Sequence, residues 1–281
     1  MSIISVQSHV IAGYVGNAVA SFALQRLGVE TWALPTVLIS HHPGHGGSQG
    51  DRIPVQLIQK LLDGMQSHGC FARCKAVISG YLGGLEDEDT VRDIVRRCQD
   101  AGSNFVYLCD PVIGDNGRTY VSPAVERAVR NLVQIADIAT PNAYELSALS
   151  GRSFSTRAEA LAALRIVQSL GPDIVLLSSF IGRDTAANEI DVLVVDRADA
   201  WRLSLPLLNY KFSGAGDLLA ALFLHFWLPQ RDVIHAINVS CTILHDVLIE
   251  TAQRNAQELC IIEAQDRFDI DVGRFSVEVL N

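Results

Sequence analysis

Residues 105–115 read Phe-Val-Tyr-Leu-Cys-Asp-Pro-Val-Ile-Gly-Asp, and this stretch decides the fold class. Residues 105–109 are a continuous apolar run of strand length, which Asp110 and Pro111 end abruptly. A short run that is apolar on both faces is typical of a strand buried inside a parallel sheet. We therefore expect a buried strand here, with polar residues at its carboxyl end.

Similar short apolar runs occur along the whole chain and alternate with longer segments of helical periodicity. The pattern predicts further strands at residues 3–6, 31–39, 76–79, 138–139 and 174–177, and a hairpin over 192–195 and 201–203. It predicts helices over residues 16–28, 53–67, 87–101, 122–134, 156–169, 218–228 and 231–252, and one that begins near 142. Such alternation predicts an α/β fold with a central, mainly parallel β-sheet flanked by helices on both faces. Because no repeat or low-complexity linker interrupts it, we expect a single domain over residues 1–281.

The composition excludes several classes of protein. The net charge is −9 and the basic residues form no run, so the electrostatic footprint of a nucleic-acid-binding protein is missing. No apolar run approaches the roughly 18 residues of a membrane-spanning helix, and the first residues lack the pattern of a secretory signal. The six cysteines form neither a disulfide framework nor a zinc motif. These features predict a cytoplasmic protein with no membrane or nucleic-acid partner.

The motif Gly214-Ala215-Gly216-Asp217 immediately precedes a strongly apolar helix. Its glycines allow backbone N–H groups to converge, and a helix start adds partial positive charge, so the motif can form a socket for phosphate oxygens. A carboxylate would repel phosphate, so the suitable task for Asp217 is to accept a proton from an attacking hydroxyl. Taken alone, the four residues are more typical of an ordinary helix start than of a phosphate socket.

Two further polar clusters directly follow predicted strands: Asp110 with Asp115, and Thr140 with Asn142 and Glu145. The carboxyl ends of parallel strands line the ligand crevice of open α/β sheets, and carboxylate oxygens are ligands that Mg²⁺ prefers. Turn chemistry also explains the first cluster, and a helix cap explains the second. Three clusters in the same position relative to a strand nevertheless favour one shared site.

The stretch 7–17, Gln-Ser-His-Val-Ile-Ala-Gly-Tyr-Val-Gly-Asn, follows the first predicted strand in the same way. It offers the Ser8 hydroxyl at a strand end and glycines that let the chain approach a ligand closely. Residues 40–51 are polar and rich in glycine, which predicts a loop or flap. The histidines of these two stretches have no carboxylate or cysteine partner nearby in the sequence. Contacts to substrate or water are therefore favoured over a metal site.

Together, these segments resemble the ribokinase-like superfamily, and most closely its pyridoxal kinase branch, from residue 4 to about residue 250. The Gln-Ser-His-Val start is specific to that branch, whereas the motifs that begin at Asp110, Thr140 and Gly214 occur across the superfamily. The resemblance is carried by Ser5-Val6-Gln7-Ser8-His9-Val10, Gly13-Tyr14-Val15-Gly16-Asn17, Gln25-Arg26-Leu27-Gly28-Val29, Ser40-His41-His42, Ser79-Gly80-Tyr81-Leu82-Gly83, Asp110-Pro111-Val112-Ile113-Gly114-Asp115, Thr140-Pro141-Asn142-x-x-Glu145 and Gly214-x-Gly216-Asp217.

The resemblance implies a ribokinase-like fold and ATP-dependent phosphorylation of the 5′-hydroxymethyl group of pyridoxal, pyridoxine or pyridoxamine by a homodimer. It implies ATP and Mg²⁺ as cofactors, with a monovalent cation such as K⁺ as an optional one. Asp217 falls at the position of the catalytic base, and the amides of Gly214, Ala215 and Gly216 at the anion hole. The implied substrate pocket contains Ser8, Val15, His42, Pro43, Tyr81 and Asp217. The implied ATP site contains Asp110, Asp115, Tyr120, Thr140, Asn142, Glu145 and Ser178, of which Asp110, Asp115 and Glu145 are the implied metal ligands.

The sequence departs from the family pattern mainly at the flap. The family flap has Ser-Asn-His-Thr followed by an aromatic residue, whereas here His41 replaces Asn, Pro43 replaces Thr and His45 stands at the aromatic position. Proline cannot donate a backbone hydrogen bond, so the substrate contacts are the most affected. Ala215 replaces a threonine of the anion hole but keeps the amide, and Ser178 stands where relatives carry Thr or Lys.

Two other functions fit many of the same residues. A sibling kinase for hydroxymethylpyrimidine or a sugar would keep Asp217 but should lack the Gln-Ser-His-Val start. A catalytically silent relative that binds B6 vitamers or nucleotide would account for Ala215, Ser178 and the altered flap. It would not account for an intact Asp217 together with the acidic clusters.

Overall fold

The apolar runs form the strands of one central sheet in the computed structural model, which describes residues 1–280. Ten strands form this sheet in the order β12-β11-β10-β9-β8-β5-β4-β1-β2-β3, and β6 pairs with β7 in a separate small hairpin. In chain order the strands are β1 (Ser2–Val10), β2 (Glu30–Ile39), β3 (Gly50–Arg52), β4 (Cys74–Ser79), β5 (Val106–Cys109), β6 (Gly114–Asp115), β7 (Arg118–Thr119), β8 (Ile138–Ala139), β9 (Ile174–Phe180), β10 (Glu189–Val195), β11 (Ala200–Pro206) and β12 (Val277–Val279).

The middle of the sheet is parallel and its margins are antiparallel. The six strands from β2 to β9 in the sheet order run in one direction. The edge strand β3 and the meander β10–β11–β12 run against their neighbours. Parallel neighbours need crossover connections, which the intervening helices supply. The predictions of a mainly parallel sheet and of a hairpin over residues 192–203 are confirmed.

Helices cover both faces of the sheet, as the sequence predicts. Helices α1, α8 and α9 pack over one face, and α2, α4, α5, α6 and α7 pack over the other, so that each face has its own apolar core. The helices are α1 (Asn17–Arg26), α2 (Val55–Ser67), α3 (Cys70–Arg73), α4 (Glu86–Asp100), α5 (Pro123–Val133), α6 (Ala143–Ser150), α7 (Arg157–Gln168), α8 (Ala215–Gln230) and α9 (Val233–Gln253).

The structure adds small elements that the sequence pattern did not predict. The loop 40–51 contains a 3₁₀ turn, Pro43–His45, and ends in β3. The hairpin β6–β7 and the edge strand β12 also lacked a signal, because strands of two or three residues are too short to show periodicity. Residues 40–51 are mostly irregular, as predicted for a loop, and their last residues belong to the edge strand β3.

Helix α9 is long and apolar enough to cross a membrane by length and composition alone. However, 61% of its most apolar 18-residue window is buried inside the protein. It packs against α8 in the core on one face of the sheet. Its apolar character is therefore explained by its position as a core helix.

Candidate active site

The carboxyl ends of the parallel strands lie side by side, along the side of the sheet where these strands end. Backbone hydrogen bonds connect each strand end to the next, from Gly80 N to Val6 O (3.1 Å), Asp110 N to Ser79 O (2.8 Å), Thr140 N to Cys109 O (3.2 Å) and Ser178 N to Pro141 O (3.0 Å). This register brings the polar residues that follow β1, β5, β8 and β9 to one place. The expectation that the separate clusters share an edge is thus met by the geometry.

The glycine turn before α8 packs directly on the loop that follows β1. Gly214 is in the left-handed region, with φ 83°. A Cβ on this residue would lie 2.2 Å from the carbonyl oxygen of Tyr14, so both the backbone angle and the close approach require glycine. Ala215 and Gly216 belong to the first turn of α8, where backbone N–H groups have no acceptor within the helix. These amides are suited to receive an anion.

Asp217 follows the two glycines in this turn, and one hydrogen bond fixes its carboxylate. The Gly16 N–H donates to Asp217 Oδ2 at 2.9 Å. Burial raises the pKa of Asp217 to about 6, although the hydrogen bond from Gly16 opposes the shift. At neutral pH the carboxylate is ionised and more basic than an ordinary aspartate, as a general base requires.

Asp110 lies next to β8 in the crevice and is buried. Its Oδ1 accepts a hydrogen bond from the Thr140 hydroxyl at 3.0 Å. Burial is the main cause that raises the pKa of Asp110 well above its usual range, followed by the negative charges of Glu145 and Asp217. The charges of Glu145 and Asp217 therefore act on Asp110, although the three carboxylates come from three distant segments of the chain.

Glu145 and Asn142 form the predicted capping box at the start of α6. Asn142 N–H donates to Glu145 Oε2 (2.9 Å), and Glu145 N–H donates to Asn142 Oδ1 (3.0 Å). The other oxygen of Glu145 accepts the Ile113 N–H at 2.9 Å, which ties α6 to the loop after β5. Burial raises the pKa of Glu145 to about 7. The helix-cap explanation of these residues is thus correct, and the same bonds also place a buried carboxylate in the crevice.

Asp115, Tyr120 and Ser178 lie at the margin of this crevice. Both carboxylate oxygens of Asp115 accept hydrogen bonds from Asn116. The Asp115 charge is a smaller contribution, after burial, to the raised pKa values of Glu145 and Tyr120. Tyr120 is 56% exposed, and Ser178 is half-buried near the carboxyl end of β9. These three side chains therefore border the acidic centre.

Ser8 and Val15 lie next to Gly16, the residue whose N–H donates to Asp217 in the glycine turn. A Cβ on Gly16 would lie 2.4 Å from Ser8 O and 2.8 Å from Ser8 Oγ, so the two segments are in close contact. Ser8 and Val15 are buried. Tyr81 follows the neighbouring strand β4, and its carbonyl oxygen accepts a hydrogen bond from the Thr36 hydroxyl at 2.9 Å. Ser8, near the end of β1, and Val15, in the following loop, thus lie beside the glycine that contacts Asp217, and Tyr81 lies after the neighbouring strand β4.

The remaining predicted pocket residues, His42 and Pro43, are on the flap. Pro43 begins the 3₁₀ turn and is exposed, whereas His42 is half-buried and its Nδ1 accepts the Gly44 N–H at 3.2 Å. Burial is the main cause that lowers the pKa of His42, and the nearby His45 lowers it further. His42 is thereby neutral at physiological pH, with Nε2 as its proton-bearing atom.

One residue of the site, Glu258, had no signal in the sequence. Its Oε1 lies 2.7 Å from His45 Nε2, and its Oε2 accepts the Tyr14 N–H at 2.9 Å. His45 has no carboxylate nearby in the sequence, but the fold supplies one from 213 positions away. Glu258 belongs to no motif, and a contact over this separation leaves no local pattern. Only the folded chain reveals it.

The carboxylates fit a divalent cation. Asp110 and Glu145 are both buried, and the charged groups that raise the pKa of Asp110 are themselves carboxylates. A divalent cation would offset this concentration of negative charge. Within residues 1–280, no group of three His, Cys, Asp or Glu side chains forms a complete metal site. Mg²⁺ does not require such a group, because it is usually held by one or two carboxylates together with water and substrate phosphates.

Comparison with known proteins extends over the whole chain. The phosphomethylpyrimidine kinase family profile matches residues 23–260. Pyridoxal kinase PdxY of Corynebacterium diphtheriae is 36% identical over 280 residues, which cover 99% of each chain. Pyridoxal kinase PdxY of Rubrobacter xylanophilus is 38% identical, over 99% of this chain and 97% of its own. This chain belongs to the pyridoxal kinase branch of the ribokinase-like superfamily.

Solved structures of the branch agree with this membership. Pyridoxal kinase from Leishmania donovani in complex with ADP and pyridoxamine superposes with a TM-score of 0.91 at 28% identity. The superposition covers 100% of this chain and 99% of that one. The superposed part of this chain therefore includes the glycine turn, the acidic clusters and the flap. The predicted ribokinase-like architecture is confirmed.

Proposed function

We propose that the chain is an ATP-dependent pyridoxal kinase that phosphorylates the 5′-hydroxymethyl group of pyridoxal, and of pyridoxine and pyridoxamine, in vitamin B6 salvage. The observation that carries this proposal is the contact between Asp217 and the loop after β1. The Gly16 N–H holds the carboxylate, and the same glycine packs against Ser8. One short segment therefore connects a branch-specific substrate residue with a candidate base.

In the proposed reaction, Asp217 accepts the proton of the substrate hydroxyl as its oxygen attacks the γ-phosphorus of ATP. The bond from this phosphorus to the β,γ-bridging oxygen breaks, and ADP leaves. Proton acceptance and positioning are the main tasks of a protein in phosphoryl transfer. The amides of Gly214, Ala215 and Gly216 then hold the transferred phosphoryl oxygens at the start of α8.

The substrate pocket is formed by Ser8, Val15, Tyr81 and the flap residues His42 and Pro43. Ser8 serves as the hydrogen-bond partner of the pyridine ring, and Val15 supplies an apolar wall. The flap lies over the same edge of the sheet, because Glu258 joins it to Tyr14. Closure of such a loop excludes water from the transferred phosphoryl group.

On the nucleotide side, Thr140 and Asn142 orient the two buried carboxylates, Asp110 and Glu145. Asp115, Tyr120 and Ser178 border the nucleotide at the margin. Asp110 and Glu145 would hold Mg²⁺, with Asp115 beside them, directly or through water. When bound, this ion would neutralise charge on the ATP phosphates.

A second candidate function, phosphorylation of hydroxymethylpyrimidine, is favoured by the description of the matching family profile. That match begins at residue 23, however, and therefore leaves out the stretch 7–17. This stretch contains Ser8 and the glycine that holds Asp217. Full-length similarity to pyridoxal kinases, which includes this stretch, gives pyridoxal the stronger support.

A catalytically silent relative has less support. The Ala215 replacement leaves the backbone of the turn in place, and Asp217 keeps a hydrogen bond and a pKa suited to a base. Asp110 and Glu145 remain buried in the crevice. The groups required for phosphoryl transfer are therefore present together.

The test is a product assay with MgATP and each of pyridoxal, pyridoxine, pyridoxamine and hydroxymethylpyrimidine. We expect pyridoxal 5′-phosphate to form, detected by its absorbance and by mass spectrometry, with one ADP released per product. Phosphorylation of hydroxymethylpyrimidine without any B6 product would overturn the proposal in favour of the second candidate. Vitamer binding without turnover would establish the silent relative.

We also propose that the enzyme is a cytoplasmic homodimer that can use a monovalent cation such as K⁺. Six free, buried cysteines agree with a reducing compartment. The dimer and the cation are expectations from the family. Light scattering of the purified protein tests the dimer, and turnover in K⁺ against tetramethylammonium salts tests the cation.

A further inference from the structure

Glu258 connects two parts of the site that the motifs leave separate. It lies in the segment after α9, with its side chain 26% exposed. One carboxylate oxygen is 2.7 Å from His45 Nε2 on the flap. The other accepts the Tyr14 N–H, at 2.9 Å, in the loop after β1. A single carboxylate thus bridges the flap and the loop.

The loop after β1 is shaped around this carboxylate. Gly13 has φ 117°, in the region that favours glycine. A Cβ on Gly13 would lie 2.6 Å from the Glu258 carboxylate, so any larger residue would displace it. The backbone angle and the missing side chain together allow the Tyr14 N–H to reach the acceptor. This fit indicates a built contact rather than a chance approach of two surface groups.

The loop segment that Glu258 holds also holds Asp217. Two residues after Tyr14, the Gly16 N–H donates to Asp217 Oδ2 at 2.9 Å. The Tyr14 carbonyl group faces the glycine turn so closely that a Cβ on Gly214 would lie 2.2 Å away. Residues 14–16 therefore receive Glu258 through one amide and the proposed base through another.

The two histidines of the flap lie close to each other and to Glu258. His42 and His45 rings lie 5.6 Å apart in an edge-to-face arrangement. Burial is the main cause that lowers the pKa of His42, His45 and Lys211 lower it further, and Glu258 acts in the opposite direction. Glu258 therefore supplies a negative charge beside the two flap histidines.

We propose that Glu258 is a positioning residue of this kinase, which fastens the flap, through His45, to the backbone segment 14–16 that holds Asp217. The proposal rests on the proposed function, because the flap is taken to cover the B6 substrate. In this proposal Glu258 acts through His45 and Tyr14, the two residues that it contacts, and not on the substrate itself. It sets the position of the flap, and thereby the affinity for the vitamer.

The kinetic test compares Glu258→Gln and His45→Gln with the wild-type enzyme. The amide oxygen introduced by Glu258→Gln can still accept the Tyr14 N–H, but the charge that pairs with His45 is lost. We expect the KM for pyridoxal to rise roughly tenfold in each variant, because one charge-assisted hydrogen bond is lost. The KM for ATP and kcat should change less than about twofold, since Asp217 and the nucleotide side are untouched.

The double variant and a matched control complete the kinetic test. If the two residues act through one contact, Glu258→Gln/His45→Gln should be no worse than either single variant. Glu263→Gln removes an exposed carboxylate in the same segment and should leave all constants unchanged. Additive losses in the double variant would overturn the proposal, as would equal effects on the KM values for ATP and pyridoxal.

Hydrogen exchange of the flap amides separates this proposal from the proposed function. In the wild-type protein without substrate, residues 40–50 should exchange more slowly than in Glu258→Gln or His45→Gln. Unchanged exchange in both variants would show that the contact does not fasten the flap, whatever the activity. Faster exchange in the variants of a protein that phosphorylates no vitamer would support the fastening while overturning the proposed function alone.

Discussion

The glycine turn at 214–217 and the flap at 40–51 border the same crevice but are built differently. The turn begins a 16-residue helix whose following residues are buried in the core, and it packs on the loop after β1. The flap is exposed along most of its length, and its one 3₁₀ turn is three residues long. The turn, which is the proposed phosphate site, is thus fixed by the core, whereas the flap, which is the proposed cover of the substrate, depends on a few polar contacts such as that between His45 and Glu258.

This difference explains where the sequence departs from its family. Ala215 changes a side chain of the turn, but the amides of the proposed anion hole belong to the backbone and remain. In the flap, the side chains of His41 and His45 themselves make contacts, with Gly46 O and Glu258 respectively, and Pro43 begins the 3₁₀ turn. Rigid elements position catalytic groups more accurately than loops do. Substitutions at the two ends should therefore differ in kind: the turn controls kcat, and the flap controls the KM for the substrate.

Replacing Asp217, the proposed base in the rigid glycine turn, should have the largest effect. We expect Asp217→Asn to lower kcat by about 10³-fold, because general-base catalysis contributes about 10²–10⁴-fold. The dissociation constant for MgATP, measured by calorimetry, should stay within about threefold of the wild-type value. A variant that retains a tenth or more of the wild-type kcat would show that Asp217 is not the base, and the comparison between the two ends would lose its foundation.

Removing a carboxylate from the acidic centre should have the next largest effect. Asp110→Asn should raise the Mg²⁺ concentration that gives half-maximal activity by roughly 10–100-fold, as for other groups that support a metal. Asp137→Asn is the matched control, since Asp137 also has its pKa raised by burial but lies just before β8, where it accepts the Tyr107 N–H of β5, at the amino ends of these strands and away from the crevice. Equal Mg²⁺ requirements in the two variants would exclude Asp110 from the metal site.

The raised pKa of Asp217, about 6, predicts an acid limit of activity. Because a base must be ionised, kcat/KM should fall about tenfold per pH unit below pH 6 and reach a plateau above it. The comparison between the two ends predicts that His42→Gln changes the height of this profile but not the position of its acid limb. If the limb moved in that variant, the titration would belong to the flap and not to the turn.

The same pKa shift predicts an effect on stability with a definite sign. The pKa of Asp217 is higher in the folded protein than in the unfolded chain, so its contribution to stability is complete below pH 4 and is lost as the pH rises to 6. Asp217→Asn should therefore melt at a higher temperature than the wild-type protein at pH 8, by about 5 °C, because the raised pKa corresponds to about 3 kcal/mol at this pH. The difference should disappear towards pH 4. A variant that is less stable at pH 8 would contradict the assigned burial of the carboxylate.

The positions of the polar residues at the strand ends could largely be predicted from the sequence, because they follow from the parallel sheet. Asp110, Thr140 and Asn142 each come after an apolar run, and parallel strands bring such positions to one edge. The capping pattern at Asn142 and Glu145 likewise has a fixed local spacing, and the structure shows it. The contact of residues 14–16 with the glycine turn could not be predicted, since it depends on how α1 and α8 pack together.

The organisation of the flap could not be predicted for a related reason. Glu258 reaches His45 and Tyr14 from a segment after the last long helix, and no spacing rule links positions so far apart. Burial also determines the electrostatics: nothing local to Asp217 indicates a pKa of about 6, because the shift arises from desolvation by the fold. Sequence patterns indicate which groups meet at a strand end, whereas their pKa values and flap contacts require the packed chain.

The smallest expected effect concerns Ala215, and it tests the rigid end most closely. Ala215→Thr restores the hydroxyl that the family carries in the anion hole, and one added hydrogen bond contributes about 1 kcal/mol, or roughly fivefold in kcat. Ala215→Val is the matched control, because it has the same branched shape without the hydroxyl. We expect kcat to rise in the threonine variant only, with the KM for pyridoxal unchanged in both. A gain larger than about tenfold would mean that the backbone amides hold the phosphoryl group less firmly than the geometry of the turn implies. Equal changes in both variants would assign the effect to side-chain shape at the start of α8 and not to the anion hole.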